Sequence, residues 1–173
     1  LYSLYYMKRV VFFIAIVVGV LMASCSLDQE VQVTPSVGTS HLICSHADSL
    51  YTDTLTAKRN ENGVYKIGAI HKGDTVRFMI TIVASPNSLT GFSMAYDSTI
   101  LSIGLDSIEK IQSVLLDTSD PQHGKLYFKP SCVGARFPAH YIPIKTGVAD
   151  IKLTVESDSK YSPNSLSMIQ PIE

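Results

Sequence analysis

The sequence has no tryptophan, only three cysteines, no surplus of basic residues and no apolar run long enough to cross a bilayer. Each shortage excludes something. Without Trp, a sugar-stacking platform would have to be built from Tyr and Phe alone, which lowers the case for a carbohydrate-binding face. Fourteen Lys and Arg against fifteen Asp and Glu leave a formal charge of −1. No basic patch supplies the electrostatic footprint of a nucleic-acid binder, so no nucleic-acid partner is expected. The apolar run from Val10 to Met22 is thirteen residues long, whereas a spanning helix needs roughly 20 at about 1.5 Å each. Also missing is any stretch of eleven or more residues with a 3.6-residue apolar stripe, which argues against amphipathic helices.

What is present begins at the N-terminus. Lys8 and Arg9 precede the apolar run, and the small residues Ala23 and Ser24 follow it. A basic start, a short apolar middle and a small-residue end form the pattern of an export signal peptide, the alternatives being a buried helix or a short anchor. The five residues "LMASC", Leu21 to Cys25, resemble the lipobox of bacterial lipoproteins, with Met22 where Leu is usual. That resemblance implies that the thiol of Cys25 takes a diacylglyceryl group, that the signal is cut before it, and that the new amino group is acylated in turn. Two or three acyl chains, at about 0.8 kcal/mol per buried methylene, hold a protein on a membrane. The same resemblance implies an outer-membrane lipoprotein of the cell envelope, and "SLDQE" after the cysteine is similar to the acidic stretch of surface-displayed Bacteroidetes lipoproteins. Residues 1–24 are therefore expected to be upstream sequence and a signal-peptide helix, residues 25–40 the lipidated cysteine and a flexible tether, and residues 41–173 a single domain. Residues 1–6 precede Met7, the more natural start, and are read as upstream sequence.

From Cys25 onward there are 149 residues, with twelve Lys and Arg against fifteen Asp and Glu and a formal charge of −3. That is enough chain for one domain with a sizeable core. Period-two alternation and β-branched residues dominate it. Strands are expected at 40–45, 51–57, 63–70, 74–84, 89–97, 100–105, 108–116, 125–130, 140–145, 147–157 and 165–172, and 108–116 could also serve as a short helix. Turn chemistry separates them: "NENG", "HKGD", "DPQHG" and two copies of "SPNS". In "TVRFMITI" the residues Val76, Phe78, Ile80 and Ile82 face one way, and Ile151, Leu153 and Val155 repeat the pattern later. One packed face and one wet face, in about nine short strands, predict an all-β, antiparallel two-sheet sandwich.

The segment Lys72 to Ile103, "KGDTVRFMITIVASPNSLTGFSMAYDSTILSI", resembles the first half of cohesin-type and related Ig-like sandwich domains. "TGVADIKLTV", Thr146 to Val155, is similar to a strand near their end. The resemblance implies the Ig-like or cohesin-like fold, and no binding residue is carried over with it.

Chemistry is sparse. On a strand, Cys44 and His46 of "HLICSH" share a face while His41 points away, so those three residues are not expected to gather round a metal, and no metal or other cofactor is expected. Cys44 and Cys132 could form a disulfide in an exported chain or remain two separate buried thiols. No serine sits in a nucleophile motif such as GxSxG, and the carboxylate pairs Asp117 with Asp120 and Asp106 with Glu109 fix no distance, so no catalytic residue is expected. Tyr51, Tyr65, Tyr96, Tyr127, Phe137, Tyr141 and Tyr161 offer either a binding platform or core packing, with Tyr96 and Tyr127 assigned to the core. "DSL" at 48–50 and "DTL" at 53–55 resemble the O-glycan acceptor of Bacteroidetes, which makes Ser49 and Thr54 candidate glycosylation sites. The expectation is a membrane-anchored, non-enzymatic envelope module that binds a protein or glycan. The alternatives are an enzyme or accessory of envelope polysaccharide handling, or a structural assembly subunit.

Overall fold

The structure, a computed structural model, describes residues 31–173. The expected signal-peptide helix, Cys25 and the first part of the tether lie outside the described residues. Residues Gln32–Glu173 form one compact unit. Its strands are β1 (Ser36–Thr39), β2 (Leu42–Ser45), β3 (Thr52–Leu55), β4 (Ala57–Arg59), β5 (Tyr65–Ile67), β6 (Thr75–Val83), β7 (Leu89–Tyr96), β8 (Leu101–Leu105), β9 (Lys125–Tyr127), β10 (Gly134–Pro143), β11 (Gly147–Ser157) and β12 (Asn164–Ile172). Among the described residues there is no α-helix, only three single turns of 3₁₀-helix.

The strands form two six-stranded sheets packed as a sandwich. One runs β3-β2-β6-β10-β8 with β1 also on β6, and the other runs β4-β5-β12-β11-β7-β9. Every strand pairing is antiparallel except β5 with β12. The all-β sandwich expected from alternation is therefore the fold observed, with that one parallel pair added.

The alternation works as the side-chain period of a strand dictates. β6 buries Val76, Phe78, Ile80 and Ile82, and β11 buries Ala149, Ile151, Leu153 and Val155. Burying each of these Val, Ile, Leu and Phe side chains is worth about 1.5–3 kcal/mol. The sheets meet through Phe92 of β7 and Phe137 of β10, edge to face with centroids 5.2 Å apart. One polar link crosses the same core. The hydroxyl of Tyr141 on β10 donates to Oε1 of Gln170 on β12 at 2.6 Å, and Gln170 Nε2 donates to the carbonyls of Gly68 and Pro171, each at 2.8 Å. Gln170 is fully buried, and these bonds satisfy both ends of its amide.

Four details depart from the sequence expectations. Ser36–Thr39, assigned to the tether, is β1, paired with Val83–Ile80 of β6. Its side chains are exposed or half-buried and show no alternation. Ser40 then bonds Met79 through both its backbone N–H and its Oγ, and β2 resumes pairing with β6 at Ile43. The segment 108–116 takes the short-helix alternative in place of the strand, as two 3₁₀ turns, Ile108–Lys110 and Gln112–Val114. Ile108, Ile111 and Val114 pack on the core at the three-residue spacing that a 3₁₀ turn places on one side. β10 starts at Gly134, six residues before the expected strand, and runs through Pro138. The carbonyl of Pro138 accepts from Asp106 N–H just past the end of β8, so the missing proline donor faces a position where no ladder bond is required. β4 was not foreseen, and its three residues are all exposed. Both "SPNS" copies contain a cis Ser–Pro bond.

Candidate functional site

The register of the β3-β2-β6 edge gathers a polar cluster at one end of the sandwich. Ser45 pairs with Thr75, so continuing the antiparallel register sets His46 opposite Asp74, and on the other side Cys44 pairs with Asp53. Side chains directly opposite on such a pair are near neighbours, with Cβ atoms about 4.5–5.5 Å apart. The "HKGD" turn delivers Asp74. Gly73 takes φ +90°, a conformation costly to residues with a Cβ, and Asp74 N–H bonds back to the carbonyl of His71.

His46 Nδ1 lies 3.1 Å from Asp74 Oδ2, and His46 Nε2 lies 3.0 Å from Asp53 Oδ2. Asp74 is almost fully buried and accepts the backbone N–H of Ala47 on Oδ1 at 3.0 Å and that of His71 on Oδ2 at 2.9 Å. Cys44 Sγ lies 3.7 Å from Asp74 Oδ2 and 3.9 Å from His46 Nδ1, with no exposed surface. His71 Nδ1, on a largely exposed ring, is 3.9 Å from Asp74 Oδ2.

The electrostatics follow from this geometry. Hydrogen bonds to Asp53 and then Asp74 raise the His46 pKa, so the imidazolium is favoured. Burial opposes ionisation of Asp74, but the amides of His71 and Ala47 and the His46 ring together outweigh it and hold its carboxyl below the usual range. Burial first, then the Asp74 charge, pushes the Cys44 thiol up to about 11. A sulfur next to an imidazole and two carboxylates has the residue types of a nucleophile, base and orienter. Two facts oppose that use: the sulfur is out of reach of solvent, and its thiolate is disfavoured at neutral pH.

The other singled-out residues sit apart. Cys132 precedes β10 at the end of β6 remote from Cys44, since Cys132 C=O accepts from Leu89 N–H and the adjacent Val133 C=O from Ala84 N–H, while Cys44 pairs with Val76. Eight residues of strand at about 3.3 Å each put them roughly 26 Å apart along the strand, beyond the Cα separation of about 4.4–6.8 Å a disulfide needs. Both are free buried thiols, so of the two alternatives open in the sequence the bridge is not the one formed. Ser49, in the β2–β3 connection, and Thr54, on edge strand β3, are both exposed. His41 is exposed on the face away from Cys44. Asp120 and His123 pair at 2.6 Å across a 3₁₀ turn, and His140 pairs with Asp106 at 2.9 Å. Asp120 is thus engaged with His123, and Asp106 with His140 rather than Glu109. Phe137 and Tyr141 are core residues, Tyr65 and Tyr96 are half-buried, and Tyr51, Tyr127 and Tyr161 are exposed. Tyr127, assigned to the core, instead alternates outward between buried Leu126 and Phe128.

Sequence reasoning paired Cys44 with His46 but missed Asp74 and Asp53. The available signal was the "HKGD" turn, whose aspartate stands directly before the strand that pairs with β2.

These observations define a two-sheet β-sandwich with a part-buried Cys–His–Asp cluster at one end. No protein-family model matches the chain, and no curated protein matches it. Among solved structures it is similar to a secreted serine protease, VesC, from Vibrio cholerae, at 11% identity and TM-score 0.36, over 68% of this chain and 23% of that one. It is also similar to a FixG-related protein from Vibrio parahaemolyticus, at 6% identity and TM-score 0.38, over 79% of this chain and 96% of that one. A third is domains 4 and 5 of the S-layer protein SbsC, at 11% identity and TM-score 0.33, over 84% of this chain and 68% of that one. The chain thus spans about a quarter of the protease's length, and none of the three similarities carries a function to it.

Proposed function

We propose that this chain is a lipid-anchored protein of the bacterial envelope, tethered through Cys25 and presenting its β-sandwich to a protein or glycan partner. The observation that carries the reading is "LMASC" placed after a short apolar run and directly before the chain that builds the sandwich. The cohesin-like, Ig-like kinship belongs to the same proposal. "KGDTV" opens β6 and "GFSMAY" forms most of β7, strands that lie in opposite sheets.

The presenting surface in this reading includes the β2–β3 connection, where Leu50 is fully exposed and Tyr51 is 80% exposed. Ser49 and Thr54 flank that tip, and their exposure suits O-glycan attachment there. Fractionation of cells expressing the full chain tests the anchor. The native chain should sediment with membranes and incorporate a fatty-acid label, and Cys25→Ser should lose the label. Continued acylation of that variant would sink the proposal.

A further inference from the structure

We propose that Cys44 Sγ, His46 Nδ1 and Asp74 Oδ2 form a binding site for one zinc-class divalent ion, with Asp53 as the carboxylate that orients His46. The three atoms form a triangle with edges of 3.9 Å from sulfur to nitrogen, 3.7 Å from sulfur to oxygen and 3.1 Å from nitrogen to oxygen. Zinc bonds of about 2.3 Å to sulfur and about 2.0–2.1 Å to nitrogen and oxygen, at tetrahedral angles, require edges of about 3.3–3.6 Å. The two edges that meet at His46 Nδ1 need about 0.2–0.4 Å, which a ring rotation can supply, and the sulfur–oxygen edge needs only about 0.1–0.2 Å to bring three ligands round one centre.

The surroundings suit a cation. His46 Nε2 faces Asp53 Oδ2 at 3.0 Å, so with Nδ1 on the ion the remaining N–H donates to a carboxylate, the arrangement that fixes the tautomer of metal-bound histidines. The free oxygen of Asp74, Oδ1, accepts the Ala47 amide, and Oδ2 also takes the His71 amide, so the ligand is held before any ion arrives. His46 is 27% exposed at its side chain, which gives an entry path, while Cys44 and Asp74 lie beneath it. Mixed sulfur, nitrogen and oxygen donors select zinc over calcium or magnesium, which prefer oxygen alone. Water can complete the tetrahedron, and His71 is the nearest further donor.

The balance is explicit. The ion takes the place of the Cys44 thiol proton and, where His46 is protonated, of its Nδ1 proton. One or two protons pass to buffer, and no electron is transferred. This inference does not depend on membrane attachment or on any partner.

The test uses the full chain in detergent, stripped with chelator and titrated with Zn²⁺ or Co²⁺. One ion should bind per chain, with proton release, and Co²⁺ should give a thiolate-to-metal charge-transfer band with the visible bands of a tetrahedral site. Cys44→Ser should abolish the charge-transfer band, and Cys25→Ser and Cys132→Ser should each retain it. Asp53→Asn, at an exposed position, should leave the fold intact by circular dichroism and weaken binding by about 10–100-fold. His46→Gln, only part-buried, serves as the second ligand variant should Cys44→Ser fail to fold, and should lose stoichiometric binding. Failure of the native chain to bind one equivalent overturns the proposal, as does a charge-transfer band that survives Cys44→Ser or binding that His46→Gln leaves unchanged.

Discussion

His46 and Asp74 face each other across β2 and β6, with Nδ1 3.1 Å from Oδ2, although twenty-eight positions of sequence separate them. The pairing comes from strand register, since Ser45 lies opposite Thr75 and the next step along each strand sets the two side chains together. A one-residue slip of either strand would send its own member of the pair to the other face of the sheet. Asp74 is therefore a structural fastener as well as a chemical group. It ties the chain at Ala47, the turn at His71 and the start of β6 to one carboxylate.

Replacing Asp74 with Ala should destabilise the metal-free protein by about 2–4 kcal/mol, because two backbone donors lose a charged acceptor in a buried setting. Asn, which keeps one acceptor oxygen, should cost less. Urea unfolding in the presence of chelator measures both, with the slope unchanged and the midpoint lowered.

The Tyr141–Gln170 bond makes a second prediction. Tyr141→Phe removes the donor to Gln170 Oε1 while Gln170 Nε2 keeps Gly68 and Pro171. One buried acceptor left without its partner should cost about 1–3 kcal/mol. Gln170→Leu in the Tyr141→Phe background should cost more again, because it also takes the amide donor from the carbonyls of Gly68 and Pro171, and a double-mutant cycle on thermal unfolding reads the Tyr141–Gln170 coupling.

Asp97 offers a pH test away from the cluster. Its Oδ1 accepts from Thr99 Oγ1 at 2.6 Å and from Thr99 N–H at 2.8 Å, and these bonds, the side-chain one first, hold its carboxyl below 3.8. A depressed folded-state pKa gives stability that is present above the unfolded value and is lost as pH falls through the folded one. The native chain should therefore lose stability on acidification below about pH 4, and Asp97→Ala should show a shallower fall there, followed by thermal melts across that range.

Much of the sandwich was legible because both faces of β6 and β11 obey the two-residue period of a strand, and alternation in sequence becomes alternation in burial. The misses share a cause. β1 and β4 bury too little to leave a pattern, and they exist because neighbouring strands offer backbone partners. Pro138 reads locally as a break, yet it falls where β10 has outrun β8 while still paired with β6. The Cys44–His46–Asp74 cluster was half legible. A strand sets residues i and i+2 on one face, but only the inter-strand register brings in Asp74 and Asp53, and local sequence does not encode that register.

The thiols make a prediction that needs no mutation. Cys44 and Cys132 are both buried and free, at opposite ends of β6. Alkylation of Cys44 and Cys132 in the native protein without reductant should be slow, and unfolding in denaturant, still without reductant, should make both reactive, each located by peptide mass. Labelling that requires prior reduction would mean a bridge that this strand order does not permit.

The β2–β3 tip separates stability from binding. Leu50 and Tyr51 make little use of the core, with relative exposures of 102% and 80%, so Leu50→Ser with Tyr51→Ser should change unfolding free energy by no more than about 0.5 kcal/mol. If the tip is part of the presenting surface, the same double variant of the full chain should lose retention on a glycan array or on a partner recovered with the native chain. Ser49→Ala with Thr54→Ala should independently remove a glycan-dependent mobility shift. The two variants divide the roles of this connection: the first abolishes contact, and because Leu50 belongs to the "DSL" acceptor it spares modification at Thr54 alone, whereas the second removes modification at both sites and leaves contact in place. A tip variant that melts well below the native chain would instead place Leu50 and Tyr51 in the packing of the fold, and binding left unchanged by the tip variant would move the partner surface elsewhere on the sandwich.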